Sequence, residues 1–378
     1  MNASPTKTTP RRALSNPAKT KQWNETSFGL FFTGLLSLNK SAKAGRRNNA
    51  LAVLFYAGFL NLLVPWATQA EIEYKLTEIQ GLRSPNTSPK AINNGGRVVG
   101  RYYWVGFISH AFTYRNGVLN NLFTISGYKY NLVNAINNYG LIVGFFATDT
   151  DRRGYLRGTD GQITDLGALT PLDINDFGVI VGELDLNGIA KAAIYQGGHL
   201  STLGSFSGRP LVQATAINNG GQILALYQTA DNTPGAFRTV IWTLAESREI
   251  VPPSIGDELV GLAINDHGAA AGYINPPAGG SHGFIYSGGT VHDLGTFAYY
   301  SAINNSGQAV GSGYNQDTGQ DYAAFTDGVQ VRDLNTLIDP KSGAHLGNAT
   351  GINDSGQICV SGVNASGISV GFLLTPIK

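Results

Sequence analysis

The sequence predicts an all-β fold, a seven-bladed β-propeller of four-stranded antiparallel blades whose last blade is closed by the N-terminal strand of the mature chain. Three observations predict it. One ten-residue phrase, first met as AINNGGRVVG at Ala91–Gly100, recurs from Ala135, Asp173, Ala216, Ala263, Ala302 and Gly351. The first Asn of each copy falls at 93, 137, 175, 218, 265, 304 and 353, a spacing near 40 to 50 residues that marks a solenoid or propeller. The apolar pattern inside each repeat alternates as strands do and nowhere follows a helical period.

Each repeat supplies four strands in order. NLVNAIN before Asn-Asn-Tyr-Gly and LIVGFF after it form a hairpin, because Asn and Gly tolerate left-handed φ at the turn. A third strand reads HAFTY at His110–Tyr114, AAIYQ, VIWT, GFIYS and AAFT in other repeats. The fourth reads TDLGAL at Thr164–Leu169, STLGSF, HDLGTF and RDLNTL. The seventh repeat ends at VGFLLTP, its third strand, and LTEIQGL at Leu76–Leu82 matches the missing fourth, with Glu78, Ile79 and Leu82 aligned to Asp165, Leu166 and Leu169. Such closure removes two open sheet edges.

The phrase itself reads as architecture. Its Ile recurs at 92, 136, 174, 217, 264, 303 and 352. Burial at about 1.5 to 3 kcal/mol each makes these a gross term comparable to a whole folding stability. The Asn and Gly residues read as turn chemistry. A calcium site needs several carboxylates per ion, whereas the residue after the Asn is Asp only at 176, 266 and 354. No metal and no cofactor are expected. Cys359, the only cysteine, excludes a disulfide framework and stands where other repeats have Val99, Val143, Val181, Leu224, Ala271 and Val310, so it reads as a small buried apolar residue.

Charge divides the chain. Residues 1–70 hold nine basic residues against Glu25 alone, net +8, and the rest holds 17 basic and 24 acidic, net −7. An acidic body without a basic run is a poor polyanion binder, so nucleic acid is not expected as a partner. The expected organisation is a basic extension over 1–49, a signal-peptide apolar region over 50–70 and the propeller over 71–378. Arg46 and Arg47, the run ALAVLFYAGFLNLLVPWATQA and the small residues ending at Ala70 are the parts of a secretory signal, cleaved after Ala70. The basic region is unusually long and carries a second apolar patch at Phe28–Leu38, so an uncleaved anchor stays open; membrane contact is expected only in that case.

The alternation of AINNxGxxVG, HAFxY and DLGxL resembles the HAF-repeat family of bacterial probable extracellular repeat proteins, over residues 72–376. Repeat two departs with GYLRG for the aromatic strand and repeat four with LAESREIVPP for the DLG strand. The resemblance implies an exported bacterial protein and brings no established catalytic residues.

A binding function is expected on the face that carries the variable loops, between strands two and three and between blades. Those loops hold Tyr103 and Tyr314 and the candidate ligand-binding set Tyr102, Trp104, Tyr128, Tyr130, Tyr227, Tyr273, Tyr299 and Tyr300. Tyr and Trp join an apolar face to a polar edge, which suits sugar rings or a surface protein of the cell envelope, and the chain is expected to act as a secreted or surface-exposed monomeric binding module. The competing class is a polysaccharide hydrolase or lyase using Glu183 and Asp185, two apart on one strand, with Asp149 and Asp151 beside Arg152 and Arg153 the next pair. The six His residues show no metal spacing, and there is no nucleophile elbow or phosphate-cradling Gly loop in strand-to-helix context.

Overall fold

A computed structural model describes residues 74–81, 86–103, 109–123, 125, 127–229 and 237–377. The extension and signal segment expected over residues 1–70, together with Leu82 and Trp104, lie outside the described residues.

Among the described residues the strands pair into seven four-stranded antiparallel sets. Blade 1 runs Thr87–Ile92, Val98–Tyr103, Ser109–Arg115 and Val118–Asn121 from the axis outward. The innermost strands of blades 2 to 7 are Tyr130–Ile136, Leu169–Ile174, Arg209–Ile217, Glu258–Ile264, the second half of Thr290–Ile303, and His345–Ile352. The first half of Thr290–Ile303 is the outer strand of blade 5, so one continuous strand spans two blades. Blade 7 closes as the sequence predicts: Tyr74–Ile79 pairs antiparallel with Ser369–Pro376, Tyr74 opposite Pro376 and Ile79 opposite Gly371. The Thr87 hydroxyl secures the seam, donating to the Ile79 carbonyl at 2.6 Å and accepting from the Gly371 N–H at 2.8 Å.

The buried apolar side chains of the described residues form seven clusters, one at each blade interface. The phrase is self-complementary across these interfaces. Its Ile in one blade shares a cluster with the penultimate apolar residue of the phrase in the preceding blade: Ile136 with Val99, Ile217 with Val181, Ile352 with Val310 and Ile92 with Cys359. Cys359 is fully buried, and desolvation pushes its thiol up to about 11, as befits a packing residue.

Every innermost strand carries a β-bulge at the residue two before the Ile: Lys90, Asn134, Leu172, Thr215, Leu262, Ser301 and Thr350. The bulge brings that strand's backbone onto its neighbour, which explains the glycine ending the phrase. A Cβ on Gly144 would lie 2.0 Å from the Leu132 carbonyl oxygen, and one on Gly311 1.8 Å from that of Tyr299. Blades 4 and 7 have Ala225 and Val360 there, and in both the innermost strand shifts register a second time, at Leu211/Gln213 and Leu346/Asn348. That second shift accompanies the side chain that the other blades exclude.

One expectation changes. RDLNTL was expected to be a fourth strand, but only Val331–Asp333 is extended. Leu334–Leu337 is a 3₁₀ turn because the Asp333 carboxylate accepts the Asn335 N–H at 2.9 Å and caps it.

Candidate functional site

The end of the ring formed by the Asn turns is scaffold. Each first Asn of the phrase is buried, and its amide works twice. Asn93 Oδ1 accepts the Arg97 N–H of its own turn at 2.9 Å, and its Nδ2 donates to the Asn137 carbonyl of the next blade at 3.0 Å. The same inter-blade bond runs through Asn137, Asn175, Asn218, Asn265, Asn304 and Asn353 and back to Asn93, at 2.9 to 3.2 Å. A second circle lies outside it, in which each following residue accepts on Oδ1 the N–H of its counterpart in the preceding blade, at 2.8 to 3.0 Å.

The second circle explains why Asp appears at three of its seven positions. In order it reads Asn94, Asn138, Asp176, Asn219, Asp266, Asn305, Asp354, an alternation in which no two carboxylates are neighbours. Asn219 Nδ2 donates to both Asp176 and Asp266, at 3.1 and 3.2 Å, and Asn305 Nδ2 to both Asp266 and Asp354. Seven is odd, so one Asn–Asn contact, Asn94 with Asn138, is unavoidable. These carboxylates are held by amide donors, and among the described residues no group of three or more His, Cys, Asp or Glu side chains is placed to hold a metal ion.

The opposite end carries the variable loops and opens into a recess of about 770 Å³ over blades 1, 6 and 7. Tyr103 and Tyr299 stand on its wall with Ser312, Asp321, His345 and Asn348. His345 Nε2 donates to the Asp321 backbone carbonyl at 2.9 Å.

The candidate tyrosines divide. Tyr299 lines the recess and is 39% exposed. Tyr102, Tyr227 and Tyr300 are buried rather than on the recess wall. Tyr102 is fully buried, donates to Asn121 Oδ1 at 2.5 Å and stacks on His110. Tyr300 is fully buried between blades 5 and 6. Tyr227 packs on Phe206, and burial pushes its hydroxyl up to about 12. Period-2 alternation is the cause: in Tyr102-Tyr103 and Tyr299-Tyr300 one ring turns into the blade and the other into the recess. Tyr128 rests half-buried on Phe146 and reaches Asp151 at 3.2 Å, Tyr130 lies half-buried beneath Lys129 Nζ, and Tyr273 is half-buried with its hydroxyl pushed up by desolvation. None of these three lines the recess.

The carboxylate pair has structural partners. Glu183 accepts from Gln213 Nε2 of the next blade at 2.8 Å, and Asp185 caps its own turn by accepting the Gly188 N–H at 2.6 Å. Asp149 pairs with Lys129 at 3.1 Å, and Arg153 with Asp165 at 2.6 Å. The DLG aspartates repeat one device. Asp165 and Asp293 each accept the N–H of the following glycine, Gly167 or Gly295, at 2.8 Å, and pair across to the third strand, to Arg153 or His282. The guanidinium bonded to Asp165 holds that carboxyl below the usual range.

Two residues that composition and motif do not mark stand out along the axis. The innermost strands of all seven blades enclose a cavity of about 560 Å³. At the bulge position its wall is neutral in six blades and Lys90 in the first, and at the next position it is Ala or Gly in six blades and Asp173 in the third. Asp173 Oδ1 accepts the Ile174 N–H at 2.8 Å and Oδ2 the Ile217 N–H of blade 4 at 2.9 Å. Burial in the wall nevertheless raises its carboxyl to about 6. Lys90 is exposed to the cavity but surrounded by its wall, and desolvation lowers its ammonium below the ordinary lysine value. Their signal in the sequence was departure from the repeat. Tyr299 borders both the axial cavity and the recess.

No family model and no curated protein matches the chain. Among solved structures it is similar to the β-propeller domain of the Trilobed protease from Pyrococcus furiosus, with TM-score 0.52, 10% identity, and coverage of 76% of this chain and 92% of that one. It is also similar to a prolyl endopeptidase, with TM-score 0.51, 11% identity, and coverage of 82% of this chain and 51% of that one. A puromycin-hydrolysing peptidase from Mycobacterium tuberculosis follows, with TM-score 0.49, 10% identity, and coverage of 79% and 56%. The chain thus spans little more than half the length of those two peptidases. At such identities the likeness shows the fold, and the fold is a β-propeller.

Proposed function

We propose that this chain is an exported binding module of the HAF-repeat kind, non-catalytic, which recognises carbohydrate in the recess at the variable-loop end. The recess carries the reading: two tyrosines, Tyr103 and Tyr299, stand beside hydroxyl, amide, carboxylate and imidazole groups in a volume suited to one or two sugar rings. The Asn-turn end, by contrast, spends its polar groups on its own two circles. A non-catalytic role is supported by the partners of Glu183 and Asp185, both of which serve the scaffold. Export is supported by the basic and apolar segment before residue 71.

The test is a glycan array probed with the full-length chain, Tyr299→Ala and Tyr103→Ala, with product analysis of any ligand found. Binding of a glycan that both substitutions weaken at least tenfold, with no product released, is the expected result. Capture of an envelope protein by the same recess, with no glycan bound, would replace carbohydrate by a protein partner. Turnover lost in Glu183→Gln would replace the binding module by an enzyme.

A further inference from the structure

The axial cavity differs from the seven turns around it in being asymmetric. Its distinctive side chains lie on three consecutive blades: Lys90 on blade 1, Asn134 on blade 2 and Asp173 on blade 3. The other bulge positions carry Leu172, Thr215, Leu262, Ser301 and Thr350, all uncharged. A ring of repeats can place any side chain here without disturbing the blade interfaces, so a cation, an amide and a carboxylate on one side of the wall are what distinguish this axis from its own repeats.

The three groups are held open to an occupant. Among the described residues the Lys90 ammonium makes no hydrogen bond and no ion pair, although it and Asp173 feel each other across the wall. Asp173 is oriented by two backbone N–H groups, one on each oxygen, and each oxygen keeps acceptor capacity. Asn134 Nδ2 is tied to the Pro171 carbonyl at 2.7 Å, which fixes the amide and leaves its Oδ1 as an acceptor.

Charge decides what fits. The Asp176, Asp266 and Asp354 carboxylates border the same cavity, so a bare anion meets a negative field, while a bare cation meets Lys90. A molecule carrying both charges satisfies both ends and adds no net charge.

We propose that Lys90, Asn134 and Asp173 form a site for a small zwitterion of the free amino acid class, its carboxylate on Lys90 Nζ and its primary ammonium shared by the Asp173 carboxylate and Asn134 Oδ1. Leu172 and Leu262 supply apolar wall for a side chain, and Tyr299 stands where the cavity meets the recess, on the way in. The site stands independently of the carbohydrate reading of the recess.

The experiment is titration calorimetry of the full-length chain with the twenty free amino acids as probes, repeated with the N-acetyl and the carboxamide derivative of any that binds. Lys90→Thr and Asp173→Ala are the variants, each installing a residue that another blade already carries at that place. The expected result is binding by at least one free amino acid, weakened at least tenfold by either derivative and by either variant, with the melting temperature of unliganded Lys90→Thr unchanged. Absence of binding by all twenty overturns the proposal, as does a derivative that binds as tightly as its parent or binding that Lys90→Thr leaves intact. Glycan binding at the recess, measured on the same variants, is expected to be unaffected, so a failure here is distinguishable from a failure there.

Discussion

Asn353 Nδ2 donates to the backbone carbonyl of Asn93 at 3.1 Å, joining two residues 260 positions apart. It is the seventh copy of a bond otherwise made between consecutive repeats, and it completes the inner circle. A residue that looks like local turn chemistry is therefore a long-range fastener.

Removing one fastener is expected to be costly. Asn218→Ala deletes the part-buried acceptor for the Gln222 N–H and the buried donor to the Asn265 carbonyl. The expected loss is roughly 2–4 kcal/mol, the lower part of the range set by about 1–3 kcal/mol for each unpaired group, because the Gln222 N–H is only part-buried. Urea unfolding of the variant measures it, and a loss below 1 kcal/mol would make the circle incidental.

The outer circle predicts a position-dependent response to one and the same substitution. Asn219→Asp puts three carboxylates in a row, removes the amide that bridges Asp176 and Asp266, and is expected to destabilise by about 1–2 kcal/mol at neutral pH, less in high salt. Asn94→Asp meets only one carboxylate neighbour, Asp354, and is expected to cost less. Equal midpoints for the two variants in thermal melts would contradict the alternation.

The glycine that ends the phrase is predicted to be irreplaceable wherever the innermost strand has a single bulge. Gly144→Ala forces a methyl onto the Leu132 carbonyl and is expected to cost about 3 kcal/mol, while Ala225→Gly in blade 4 costs no more than about 1 kcal/mol. Equilibrium unfolding of the pair separates a packing constraint from a simple loss of chain entropy.

Asp173 predicts a pH dependence. Its carboxyl titrates near 6 in the folded chain, above its ordinary value of 3.8, so the folded state binds the extra proton and stability rises as pH falls from about 6 to about 4. A shift of this size corresponds to at most about 3 kcal/mol, and less because the side chain is only half-buried. Asp173→Ala is expected to flatten the profile in that window. Melting temperatures between pH 4 and 7 for both proteins measure it, and parallel profiles would assign the titration elsewhere.

Most of the fold could be read from the repeat because each level repeats with it: strand alternation, turn residues, the Ile, and the strand missing at one end and supplied at the other. The double role of the Asn amides could not be read, since a turn residue and an inter-blade fastener look alike until neighbouring turns are placed side by side. The site was legible only to the level of a face. In sequence Tyr102 and Tyr300 look like loop residues, whereas a one-residue step of the pleat turns them into the core and leaves Tyr103 and Tyr299 facing the recess. Lys90 and Asp173 announce themselves only as exceptions to a pattern whose meaning, the axial wall, is three-dimensional.

Both proposed sites exist only in a closed ring, so closure is the claim to test first. Lys75 and Thr375 face each other across the seam between the first and last strands. In a Cys359→Val background, Lys75→Cys with Thr375→Cys is expected to form an intramolecular disulfide under mild oxidation, because directly opposed residues of an antiparallel pair lie within bridging distance. The oxidised protein should melt higher than its reduced form. A pair of free thiols that persists under oxidation, or a disulfide that forms only between molecules, would contradict the closed ring.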